Sequence, residues 1–301
     1  MYRKYHDGKK DRAKSFAAVL CDFEDITSSG LQTPPEYNKK VFDTICDPNR
    51  IASGDARWFG GFSSKEEAAR IIDGGWVEGT ERSSGVSLSL QGTIEAVESI
   101  RRRPRWGDEG DMLCTDRALR GDWDVAFQST GLLRTNGTRI VTIVGAFGGN
   151  CNRTAEQLFW NGIQIAVVSD LLEAAGYQCE VIGMSNSFHS SDSVTGANCI
   201  TAKRAGEPLR IDQIASIFAH AGVFRTFVFE MSTLLETKVN DSLGTSRGSV
   251  AEISASVRKL ADIGVMNPDA VVIGEAFDEK SAIKNIRATL HAVTGSLPVA
   301  A

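Results

Sequence analysis

Residues 139–185 constrain the fold more than any other part of the chain. Residues 139–146 (RIVTIVGA) form a β-branched run bounded by glycines, the pattern of a strand buried on both faces. The turn Gly148-Gly149-Asn150 follows, and a helical stretch then runs over residues 154–175. Thr154 is placed to cap this helix and Gly176 to end it. Its apolar residues, including Leu158, Phe159, Ile163, Val168 and Leu172, cover more than one face, so the helix is expected to be buried. Residues 178–185 (QCEVIGMS) read as a second strand, and a crossover of this length permits parallel pairing with the first. A chain containing this unit is α/β.

The rest of the second half extends the pattern. A polar loop, residues 186–196 (NSFHSSDSVTG), leads to a third strand at 197–203. No helix fits between strands two and three, so they are expected to form an antiparallel hairpin at a sheet edge. Helices are expected at about 211–218, 223–235, 250–263 and 279–293, with a fourth buried strand at 269–274. This order predicts a three-layer, Rossmann-like sheet. A hairpin as strands two and three resembles the arrangement of von Willebrand factor A-type domains.

The first 135 residues read differently, as a mainly helical, irregular region joined to an α/β domain at 136–301. They hold turn-forming clusters and all the tryptophans but Trp160. The clearest helix covers 64–73 (SKEEAARIID), capped by Ser63 or Ser64 and ended by Gly74-Gly75. A second is expected near 92–102. Charge does not separate the two parts: 20 basic against 22 acidic side chains precede residue 139, and 13 against 16 follow. With a net charge of -5, the chain has no global electrostatic reason to bind nucleic acid. No apolar run is long enough to span a membrane, and the basic start lacks the apolar core of a secretory signal. The expected setting is cytoplasmic.

Candidate chemistry is sparse. The six cysteines, Cys21, Cys46, Cys114, Cys151, Cys179 and Cys199, form no metal-knuckle spacing and read as reduced, structural thiols. A metal-binding A-type domain resembles the pattern Asp-x-Ser-x-Ser after its first strand, where side-chain oxygens hold a dication. Here that stretch is GAFGGN, residues 145–150, without a carboxylate; no metal and no cofactor are expected. The same turn offers Gly148, Gly149, Asn150 and Thr154 as a phosphate cradle at a helix N-terminus, although the glycines also suit a tight strand-to-helix turn. His189 in FHSSDS reads as loop solvation, because a triad draws its members from separate elements. His220 in FAHAGVF is expected to cap the end of the preceding helix or to hydrogen-bond in the core.

Two aromatic or basic clusters remain. Trp58, Phe59, Phe62 and Trp76 bracket the 64–73 helix, as core staples or, if exposed, as a partner-binding set. Arg101, Arg102, Arg103, Arg105 and Trp106 form the one dense basic patch. The arginines suit phosphates and the tryptophan a stacked base, but the acidic GDEGD stretch that follows offers them intramolecular partners.

Segments 58–79, 107–122, 139–183 and 200–225 together resemble an uncharacterised family encoded mainly by bacteriophages and bacterial mobile elements. That family is similar to A-type domains without their metal motif. The resemblance implies a phage or phage-derived setting, in the host cytoplasm or in the virion, and carries over no catalytic residue. Three functional expectations follow. The first is a non-enzymatic phage accessory or structural protein acting through contacts with other proteins or with itself. The second is a nucleic-acid-binding protein of phage replication or packaging, working through Arg101–Arg103, Arg105 and Trp106. The third is an enzyme acting on a nucleotide or phosphoester at the turn between Gly145 and Thr154.

Overall fold

The structure is a computed structural model, and it describes residues 3–6, 16–23, 56–61, 64–90, 105–110, 112–129, 140–150, 152–188, 194–233 and 248–294. Two short strands, β1 (Arg3–His6) and β2 (Ala17–Asp22), come first. Helices α1 (Ala56–Phe59), α2 (Lys65–Gly74) and α3 (Val77–Ser89) follow. α2 starts where its sequence dictates: the Glu67 amide donates to the Ser64 hydroxyl at 3.2 Å. A small sheet comprises β3 (Arg105–Gly107), β4 (Met112–Leu113) and β5 (Phe127–Ser129), with α4 (Thr115–Leu119) and a 3-10 turn (Trp123–Val125) between β4 and β5. β5 pairs antiparallel with both β3 and β4.

The main unit continues with β6 (Ile140–Ala146), α5 (Ala155–Ala174), β7 (Gln178–Phe188) and β8 (Val194–Lys203). After α6 (Ile211–Phe218), α7 (Ala221–Val223) runs through a π-helical stretch (Phe224–Val228) into α8 (Phe229–Thr233). The described chain closes with α9 (Val250–Ala261), β9 (Val271–Ile273) and α10 (Glu279–Thr294).

The main sheet has six strands in the order β1-β2-β8-β7-β6-β9. β6 is parallel to both β7 and β9, β7 and β8 form the antiparallel hairpin, and β2 is parallel to β8. Strand alternation divides its side chains between two clusters. Val141, Ile143, Cys179 and Val181 pack with α5, α6 and α10. Val144, Ala146, Ile182 and Met184 pack on the other side with Ile253, Val257 and Leu260 of α9. Helices therefore flank both faces of one mixed α/β sheet.

Three expectations need correction. β8 is not an edge strand: β2 covers it, with Ala17 opposite Gly196 and Asp22 opposite Thr201. Two strands of the sheet thus come from before residue 135, and the boundary there does not separate the sheet from the preceding region. The polar stretch 186–196 is also mostly strand, since β7 extends to Phe188 and β8 begins at Val194. Its polar residues do not break the ladder: buried Asn186 accepts from the Ser256 hydroxyl of α9 at 3.1 Å. Finally, the fourth strand is a three-residue edge strand in which only Ile273 is buried. The helix expected near 92–102 and the loop around His189 lie outside the described residues.

α5 is the central helix and buries thirteen residues. Burying each large apolar side chain is worth about 2 kcal/mol, so packing rather than helix propensity holds it in place. It crosses α6 at backbone contact, for a Cβ on Gly162 would lie 1.9 Å from the Phe218 carbonyl oxygen. Gly162→Ala should therefore lower stability by about 3 kcal/mol in urea unfolding. Gly85→Ala, in the middle of α3 with nothing within 4 Å of its Cβ, should raise stability by about 0.5–1 kcal/mol.

Candidate functional site

In an open α/β sheet, ligands bind beyond the strand carboxyl ends, where neighbouring crossovers take opposite faces. Here that place lies between β6 and β9, because α5 and α9 sit on opposite sides of the sheet. Protein fills it. Asn161 of α5 donates to the Gly148 carbonyl at 2.7 Å and accepts from the Ala276 amide at 2.9 Å, tying the two strand exits together. Gln164 donates to the Gly274 carbonyl at 2.7 Å, and Asn285 of α10 donates to Gln164 Oε1 at 3.1 Å.

The expected phosphate cradle is occupied in the same way. Gly148 has a φ of +77°, and a Cβ there would lie 2.0 Å from the Phe224 ring. At Gly149 it would meet Leu158 and Arg153 at 2.9 and 3.0 Å. Asn150 Oδ1 accepts from the Asn152 amide at 3.0 Å. The Thr154 hydroxyl accepts from the Gln157 amide at 3.3 Å, while Gln157 Oε1 accepts from the Thr154 amide at 3.0 Å. This capping box consumes donors that an anion needs. The glycines serve a tight turn under Phe224.

The aromatic bracket is largely internal. Phe59 is fully buried and cannot meet a partner, which corrects its place in an exposed set. Trp58 is half-buried, with the guanidinium of Arg225 3.5 Å above its ring. Arg225 has no exposed surface; it donates to the carbonyls of Trp58 and Arg153, the latter at 2.5 Å. Trp76 is half-buried and meets Phe159 and His220 edge-on at 5.9 and 4.7 Å. Phe62 lies outside the described residues.

His220 hydrogen-bonds in the core, one of its two expected roles, and caps the start of α7 rather than the end of α6: the amides of Gly222 and Val223 donate to its Nδ1 at 3.2 and 3.4 Å. An accepting Nδ1 places the ring proton on Nε2. Burial pushes its pKa down to about 4, opposed weakly by the charge of Glu67. His220 and Trp76 border a cleft of about 440 Å³ whose other walls include Gly60, Arg82, Glu156 and Phe159. Two of the charges in this cleft are paired, Arg82 lying 2.6 Å from Glu156 and 3.5 Å above the Phe159 ring, while Glu78 also lines it. The thiols of Cys21, Cys179 and Cys199 are pushed up to about 12, chiefly by burial. Among the described residues no three His, Cys, Asp or Glu side chains are grouped to hold a metal ion.

The basic patch is only partly in view. Arg101, Arg102 and Arg103 lie outside the described residues, and Arg105 contributes backbone to β3. Trp106 is exposed, but Arg117 rather than a base covers its ring, at 4.1 Å, and also donates to the Val125 carbonyl at 3.1 Å. What the sequence reading missed surrounds it. Of the ten large apolar side chains that the described residues expose, five fall within one short stretch: Trp106, Leu113, Leu119, Trp123 and Val125. Among the described side chains of 105–129 only Ala126 is buried. The signal was legible, since large apolar residues are scattered there among turn formers without either periodicity that would bury them.

The family described as Domain of unknown function (DUF7192) matches residues 17–294. The chain belongs to that family. The match takes in both β2 and α10, so every strand of the main sheet except β1 falls within one family unit. No curated protein and no solved structure matches the chain. No helix among the described residues is long and apolar enough to cross a membrane.

The depressed pKa of His220 ties stability to pH. Between about pH 6.5 and pH 4 the unfolded chain binds a proton that the folded chain refuses, so stability is lost as pH falls through this window, by about 3 kcal/mol in total. His220→Asn, which keeps a capping oxygen, should show a shallower decline in urea unfolding at pH 7, 6, 5 and 4; parallel curves would show that the imidazole does not carry the effect. At neutral pH, iodoacetamide should leave Cys21, Cys179 and Cys199 unmodified in the native protein and alkylate all three in urea.

Proposed function

We propose that the chain is a non-enzymatic binding protein, a phage accessory or structural component that works through protein–protein contacts. The observation that carries this reading is the set of large apolar side chains left in solvent between Trp106 and Val125. Isolated exposed apolar residues are ordinary on any surface, whereas a concentration of them with aromatic members is typical of an interface. The bridged strand exits and the buried thiols of Cys21, Cys179 and Cys199 support binding over chemistry. The strand order β8-β7-β6-β9 with its hairpin supports an A-type relationship, and GAFGGN at 145–150 supports loss of the metal motif. The phage setting rests on the resemblance of the four segments named above.

A photo-crosslinking amino acid at position 123 tests the proposal in cells that contain the native partners. It should give a discrete protein adduct whose purified partner rebinds the chain. The same probe at Gly85, exposed on α3, should give none. Adducts of equal number and pattern at both positions would end the proposal.

A further inference from the structure

We infer that the segment 105–129 receives a cationic, apolar segment of a partner protein; this rests on the protein-binding reading above and names the chemistry of its partner. The apolar groups are paired with a one-sided charge distribution. Asp108, Glu109, Asp116, Asp122 and Asp124 are all exposed, and none of them forms an ion pair with another described residue. Against these five acids stand two described basic side chains. Arg117 is half-buried and turned inward, its guanidinium over Trp106 and its Nη1 on the Val125 carbonyl. Of these two, Arg120 alone is exposed.

Complementarity selects the occupant. Exposed carboxylates beside exposed leucine, valine and tryptophan favour a partner that carries lysine or arginine between apolar side chains. Phosphates would meet the same acids with repulsion, and the ring face that a base needs is covered by Arg117. A second copy would bring an identical acidic face on a chain whose net charge is already -5, which disfavours self-association through this surface. The charges are solvent-exposed, so their contribution must weaken with ionic strength.

Fluorescence anisotropy on the full chain tests this with three labelled 18-residue peptides, built from Lys and Leu at helical spacing, Glu and Leu at the same positions, and Lys and Ser. The Lys/Leu peptide should bind about tenfold more tightly than either control, and several-fold more weakly when salt rises from about 50 to about 300 mM. Reversing three acids together, Asp116→Lys, Asp122→Lys and Asp124→Lys, should invert the preference toward the Glu/Leu peptide. Leu119→Ala with Trp123→Ala should weaken Lys/Leu binding about tenfold with the unfolding midpoint unchanged, since both side chains are exposed. Equal binding of the Lys/Leu and Glu/Leu peptides, or indifference to charge reversal, overturns the cationic assignment while leaving the cross-linking result standing. A single-stranded oligonucleotide bound through the same residues, or a dimer in light scattering that Leu119→Ala with Trp123→Ala dissolves, overturns it in favour of nucleic acid or of a second copy. Loss of the position-123 adduct fails the underlying reading instead.

Discussion

Much of this structure follows from burying a twenty-residue helix along most of its length. A helix in that position cannot leave side-chain polar groups unpaired, because each buried donor or acceptor without a partner costs about 1–3 kcal/mol. Asn161 and Gln164 of α5 meet the condition by reaching out of their own helix, to the carbonyls and an amide at the exits of β6 and β9. Asn285 of α10 then closes the group. The amides thereby do more than avoid a penalty: they fix the helix in rotation and translation against two strands that sequence separates by more than a hundred residues. Close approach at Gly162 fixes the third contact, with α6.

The same solution has a consequence for chemistry. Open α/β sheets bind ligands at the strand ends, and here β6, α5 and β9 are joined at that place. Phe224, seated on Gly148, completes the closure. The buried Arg225 beside it holds the helical segment of α1 and the turn before α5 through their carbonyls. Arginine suits this role because its planar group serves several acceptors while lying flat on a ring such as Trp58. A region that in other α/β proteins admits substrate is here a structural junction.

How much was legible in the sequence depended on whether a signal was local. The strand–helix–strand unit, the capping box at Thr154, the Ser64 cap and the antiparallel hairpin all rest on neighbours within a few residues, and each was readable. The place of β2 beside β8 was not, because nothing local in AAVLCD specifies a partner so far along the chain. The role of His220 was half readable: capping was foreseen, but which helix it capped depended on where α6 stopped and α7 began, the least certain feature of any periodic pattern. At the candidate site the aromatic bracket stands out in composition, yet Phe59 is buried, while the exposed set around Trp123 carries no period that marks it. Exposure is a property of what packs on a residue, and that is settled by distant parts of the chain.

The pairing of β2 with β8 bears on the order in which the molecule is assembled. β1 and β2 are synthesised early, yet the strand that β2 must pair with lies about 180 residues further on. Until β8 exists the apolar β2 can pair with β1 alone, and on a ribosome its other edge waits for that strand to be made. Their placement seals the edge of β8, and Arg204 then bridges to Asp22 at 2.6 Å across the finished seam. A sheet left without them would present β8 as an open edge, the form in which strands recruit other chains. Strands made well before β8 are thus placed only after it, and they decide whether this side of the sheet ends at long, buried β8 or at the short, basic β1.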